Sequence, residues 1–156
     1  MEKKFVALIH DYQKIIYKVC GLYRDSKEDR EDLFQEIVYQ LWKSYPGFKG
    51  QSKVSSWIYR ISLNTAIAIY RKPKMSVDYY HELPEDIHVA DEKKVSESEE
   101  RLFSSLRKLN DSEKAIISLY LEDFSYQEIA EITGLSESNV GVRLNRIKTK
   151  LKEILK

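Results

Sequence analysis

Residues 125–154 read SYQEIAEITGLSESNVGVRLNRIKTKLKEI, and this stretch decides the fold. Ser125, followed three residues later by Glu128, is a capping box that opens a helix. Ile129 and Ala130 are its inward positions, and the small Ala130 admits a second helix at close range. Gly134, four residues on, supplies a turn whose positive φ only Gly adopts cheaply. Ser136 caps the next helix, and Val140 packs ten residues after Ala130. This is the spacing of a helix-turn-helix, whose second helix enters the DNA major groove. A helical hairpin with no DNA role is the competing reading.

The second helix has Val140, Leu144, Ile147 and Leu151 as its buried stripe, at steps of 4, 3 and 4. Outward lie Ser138, Asn139, Gly141, Val142, Arg143, Asn145, Arg146, Thr149 and Lys150. Asn and Arg suit bidentate reading of adenine and guanine edges. Lys148, Lys150 and Lys152 suit phosphates, which position a helix without reading sequence. Residues 138–156 carry six basic side chains against Glu153 alone, which weighs against the bland hairpin. Ser138, Asn139, Arg143, Arg146 and Lys150 are the candidate DNA contacts.

Upstream, Ser96 with Glu99 three residues later reads as a further capping box, followed by Leu102, Phe103, Leu106 and Leu109 as a buried stripe. A short helix follows Asn110-Asp111, with Ile116, Ile117, Tyr120 and Leu121 available for burial. The N-terminal part has the same helical period. Phe5, Leu8, Ile9, Tyr12, Ile15, Ile16, Val19, Cys20 and Tyr23 mark one face of a helix over 3–23. Asp25-Ser26 caps a second helix running to about Tyr45, with Leu33, Phe34, Ile37, Val38, Leu41 and Trp42 apolar. Pro46-Gly47 ends it. A third begins near Ser52 or Lys53, turns Val54, Trp57, Ile58, Ile61 and Thr65 inward, and stops at Arg71-Lys72 before Pro73.

Between about Lys74 and Val95 the period fails, and two prolines and scattered acids mark a linker. The expectation is an all-α chain of two small domains, three helices in 1–73 and four in 96–156, joined by residues 74–95. The 156 residues, with only 5 Gly and 3 Pro, agree with a helical protein. A single cysteine excludes an internal disulfide, and Cys20 reads as a small core residue. No apolar stretch approaches the roughly 20 residues of a membrane span, and no signal-peptide core opens the chain. A cytoplasmic protein is expected.

The formal charge of +1, from 26 basic and 25 acidic residues, conceals an uneven distribution. Residues 1–73 hold 13 basic and 8 acidic side chains, 74–100 hold 3 and 9, and 101–156 hold 10 and 8. Two basic domains therefore flank an acidic tether. The tether is expected to lie over a basic face of the free chain and restrain its binding to DNA.

The N-terminal domain carries a second constellation. Asp32, Gln35, Glu36 and Tyr39 fall at i, i+3, i+4 and i+7, a polar stripe expected to be exposed outside the apolar side of helix two. Helix three interleaves Trp57, Tyr59, Arg60, Asn64, Tyr70, Arg71 and Lys72. Aromatics stack unpaired bases and cations track the backbone of single-stranded DNA, although Trp57 by itself reads as a core residue.

Together, residues 28–72 (EDREDLFQEIVYQLWKSYPGFKGQSKVSSWIYRISLNTAIAIYRK) and the block from Leu106 to Leu151 resemble the bacterial sigma-70 family. The likeness is to its compact two-domain members, the extracytoplasmic-function (ECF) sigma factors, and covers nearly the whole chain outside 74–95. It implies that Asp32, Gln35, Glu36 and Tyr39 bind core RNA polymerase at the β′ coiled coil. Ser55, Trp57, Arg60, Asn64, Arg71 and Lys72 would capture and melt the −10 element. The helix-turn-helix would read the −35 element through Ser138, Asn139, Arg143, Arg146 and Lys150 and pack on the β flap. An anti-sigma factor is a further partner the resemblance implies. Two departures stand out: Ala68 replaces a usually polar or acidic residue, and Gly141-Val142 replaces a basic and a small polar one.

A stand-alone helix-turn-helix regulator of the response-regulator output type is the alternative. It accounts for residues 110–156 but leaves the features of 28–72 without a purpose. A helical adaptor or an enzyme is a third class. His10, His81 and His88 lack metal-ligand spacing with Cys20, and no phosphate loop or nucleophile motif is present. No catalytic residue, metal or cofactor is expected.

Overall fold

The computed structural model describes residues 2–50, 52–68 and 96–155. Arg71, Lys72, the end of the third predicted helix and the linker with its acidic tether lie outside the described residues. Within them all regular structure is helical, in two separate units.

The first unit comprises α1 (Glu2–Tyr23), α2 (Lys27–Ser44) and α3 (Val54–Ala68), with a 3-10 turn at Tyr45–Gly47. Ser26 opens α2 as expected, its Oγ accepting the Asp29 N–H at 3.1 Å. Each helix packs against the other two. Phe5, Ile16, Leu33, Phe34, Ile37, Leu41 and Ile58 are sealed from solvent. Removing such side chains from water contributes roughly 1.5–3 kcal/mol each before the entropy of ordering is charged against it. Arg24 ties the α1–α2 corner to the end of α3, donating to the carbonyls of Tyr23 at 2.8 Å and Ala66 at 3.2 Å. Cys20 is buried, as a core position requires.

The second unit comprises α4 (Glu97–Leu106), α5 (Asp111–Leu121), α6 (Tyr126–Thr133) and α7 (Glu137–Leu155). Ser96 Oγ accepts the Glu99 N–H at 3.2 Å to start α4. Asn110 and Glu113 form a complete capping box on α5, and Ser125 and Glu128 form another on α6. Between those helices Asp123 takes φ 65°, a left-handed turn residue of the short polar kind that tolerates it. Leu106, Leu109, Ile116, Leu119, Ile129, Val140, Leu144 and Ile147 make the core.

Several inward assignments need correction. Leu102 is 40% exposed and Leu121 49% exposed, and Ala130 is only half-buried. Leu102 is the sixth of the ten residues of α4, ahead of the buried Ser105 and Leu106. Leu121 is the last residue of α5, where the chain turns away. Helical period identifies a face, whereas burial also needs a neighbour opposite it.

Candidate nucleic-acid interface

The helix-turn-helix closes by the chemistry its sequence demands. Gly134 ends α6 at φ 80°, with its N–H on the Ala130 carbonyl at 2.8 Å. Ser136 starts α7: its Oγ accepts the Asn139 N–H at 3.2 Å and its carbonyl the Val140 N–H at 3.0 Å. Val140, Leu144 and Ile147 then fall inward and fix the rotation of α7. At about 100° per residue, Val142 lies almost diametrically opposite that stripe. Ser138, Asn145, Arg146 and Thr149 flank it, and all are exposed.

The candidate contacts do not share one environment. Ser138, Asn139 and Arg146 are exposed, whereas Arg143 is half-buried at the edge facing α5. Its Nε donates to Asn139 Oδ1 at 3.3 Å and its guanidinium to Ser112 Oγ at 3.1 Å. Lys150 Nζ forms an ion pair with Glu113 Oε1 at 3.0 Å. Lys148 donates to the Tyr120 hydroxyl at 3.1 Å and sits 4.4 Å from that ring's centroid. That hydrogen bond outweighs desolvation and holds the Lys148 ammonium above the ordinary lysine pKa. A groove of about 340 Å³ runs between α5 and α7, lined by Asn110, Glu113, Asn139, Arg143 and Arg146 over Ile116 and Ile147.

Glu113 serves both helices. The same Oε1 accepts the Asn110 N–H at 2.9 Å in the α5 cap and holds Lys150. Partial burial pushes its carboxyl pKa up, but the Asn110 N–H and the Lys150 ammonium together carry it below the ordinary value.

In the first unit, the polar stripe of α2 is not uniformly exposed. Asp32 is exposed and Gln35 half-buried, but Glu36 is only 5% exposed and Tyr39 2%. The expected open stripe is thus corrected: it runs from an exposed Asp32 into a buried part of α2. Glu36 Oε1 is satisfied there by the Gln40 amide at 3.0 Å. Of the α3 candidates, Asn64 is exposed, and Ser55 and Arg60 are half-buried. Arg60 Nε is itself buried and meets no hydrogen-bond partner among the described residues. Trp57 is buried, stacked on Phe48 at 4.5 Å between centroids with 18° between the rings.

Comparison with known proteins decides the family. Residues 8–74 match sigma-70 region 2 and residues 99–151 match sigma-70, region 4. The RNA polymerase sigma factor SigV of Bacillus subtilis is 30% identical over 142 residues, covering 90% of this chain and 84% of that protein. The ECF RNA polymerase sigma-E factor of Haemophilus influenzae is 32% identical over 162 residues, covering 93% and 84% respectively. The chain belongs to the sigma-70 family, in its ECF group.

The fold agrees with that of the Bartonella quintana sigma factor RpoE, solved in complex with the anti-sigma factor NepR. The TM-score is 0.72 at 19% identity, covering 98% of this chain and 97% of that one. In sigma-70 terms, α1 to α3 lie in region 2 and the helix-turn-helix in region 4, and every candidate contact falls inside one match. Sequence reasoning missed Ser112, Glu113 and Tyr120 as partners of the basic side chains of α7. The spacing of three between Asn110 and Glu113 is a local cap signal that went unused, while the reach of Glu113 to Lys150, 37 residues away, has no local signature. Nor does any local signal mark Phe48, whose ring stacks on Trp57.

Proposed function

We propose that this sigma factor binds core RNA polymerase and directs initiation at a specific class of promoter, region 2 opening the −10 element and region 4 reading the −35 element. The observation that carries this is the occurrence of both sigma regions in one chain, with a closed helix-turn-helix whose α7 presents Ser138, Asn139 and Arg146 outward. Residues 1–73 and 96–156 are the two working domains and 74–95 the tether.

In this reading Asp32 and Gln35 meet the β′ coiled coil. Glu36 and Tyr39 support that surface from within. Asn64, Ser55 and Arg60 meet the opened strand with Arg71 and Lys72, while Trp57 holds the Phe48 loop in place. Arg146 and Asn139 reach base edges, and Arg143 and Lys150 the backbone beside them. RNA synthesis belongs to the polymerase, so the chain performs no chemistry and takes no cofactor. Its place is the cytoplasm, where the chromosome is, and an anti-sigma factor is its natural restraint.

Reconstitution tests the reading. Core polymerase with this chain should initiate from a subset of a randomised promoter library that core alone ignores. Sequence-specific DNA binding without any association with core would instead favour the stand-alone regulator.

A further inference from the structure

Val142 is 48% exposed on the line of α7 farthest from its core. A β-branched apolar residue there is unfavourable twice over in the free chain: it restricts its own rotamers in the helix and leaves its methyls in water. Its neighbours on that face, Ser138, Asn139, Asn145 and Arg146, are all hydrogen-bonding and all exposed. It is the sixth residue of α7, in the N-terminal part that contacts base edges when a recognition helix enters the major groove. The feature that an aliphatic side chain distinguishes in that groove is the 5-methyl of thymine.

We propose that Val142 is a specificity residue that packs on a thymine methyl in the upstream promoter element. The inference rests on the promoter-reading role of α7 proposed above. Gly141 supports it geometrically. A Cβ at 141 would meet Tyr126 of α6 at 3.5 Å, so that position is turned toward α6 and leaves Val142 the outermost side chain of the pair. With Arg146 one turn further on, the helix would present an apolar contact beside a guanidinium, a pattern suited to thymine next to guanine.

Holoenzyme assembled with the wild-type chain, Val142→Ala or Val142→Thr provides the test, on a promoter mapped by selection from a randomised library. Each thymine of the upstream element is replaced in turn by deoxyuridine, which lacks only the 5-methyl. At one position the replacement should lower wild-type promoter occupancy about four-fold. Val142→Ala should show a similar loss on the thymine template and indifference to deoxyuridine there. Val142→Thr, which keeps one methyl, should retain part of the discrimination. An upstream element with no thymine, no position sensitive to deoxyuridine, or equal sensitivity in wild type and Val142→Ala would overturn the proposal while leaving the sigma reading intact. Failure of the wild-type holoenzyme to initiate at any promoter would overturn both. Circular dichroism of each variant checks that α7 is unchanged.

Discussion

Replacing Gly141 with Ala asks whether the missing side chain in α7 serves the fold or the DNA. The added Cβ would lie 3.5 Å from Tyr126 Cε2 and 3.8 Å from Cδ2, ordinary van der Waals separations, so nothing has to move. Gly within a helix is about 1 kcal/mol less favourable than Ala, partly because it leaves the unfolded chain freer. The new methyl gains in addition a fraction of the roughly 0.8 kcal/mol of a fully buried methylene, since the Tyr126 ring covers one side of it. The net expectation is stabilisation of the α4–α7 unit by about 1 kcal/mol. For a unit of this size that raises the melting temperature by roughly 4–8 °C. Thermal denaturation of the full chain, followed by circular dichroism, measures it. Repeating the substitution in a Tyr126→Ala background should leave the propensity gain and remove the ring contact. Because position 141 faces α6, promoter affinity should stay within about two-fold. An unchanged or lowered melting temperature would refute the packing argument, and a large loss of affinity would mean that the bare backbone at 141 approaches phosphate.

The two carboxylates of α2 should behave differently. Glu36→Arg forces an unpaired cation into a site 5% exposed and should destabilise the first unit by about 3 kcal/mol or more. Asp32→Arg, at an exposed position, should change stability by no more than about 1 kcal/mol while weakening association with core polymerase in a pull-down. Trp57→Ala should cost about 3–5 kcal/mol, since it empties a buried site and unseats Phe48. Asn64→Ala should leave the melting curve alone and slow promoter opening, read by permanganate footprinting. The depressed pKa of Glu113 gives the second unit stability that is present above the ordinary glutamate pKa, about 4.3, and lost as pH falls through the lower folded value. Denaturant unfolding between pH 6 and about 3 should show that component, and Glu113→Gln should lack it.

Helix order, caps and the turn of the helix-turn-helix were legible because each is local. A serine three residues before a glutamate, or a glycine after a short amphipathic run, carries its geometry in its own chemistry. The inward face of α7 was legible for the same reason, with Val140, Leu144 and Ile147 buried as read and Leu151 only half-buried. Exposure was less legible, since it depends on what the rest of the chain places opposite. Glu36 looks solvated from its polarity and spacing, yet the folded unit leaves it only 5% exposed. Arg143 and Lys150 look like free cations in sequence, while Ser112 and Glu113, more than 30 residues earlier, hold them. Val142 was visible as a departure from its family, but its outermost position follows only once the rotation of α7 is fixed by packing.

The shared carboxylate of Glu113 has a consequence for how promoter binding responds to salt. A lysine that moves from this carboxylate to a phosphate exchanges one ion pair for another. Cations still leave the DNA, so the fall of log affinity with log salt keeps its full slope. The affinity at any given ionic strength gains much less, because the carboxylate left behind loses its counter-charge. Slope and strength should therefore part company in region 4, with salt sensitivity that overstates how tightly the domain holds its site. Glu113→Gln would bring the two together, raising affinity at every salt concentration and leaving the gradient nearly as it was.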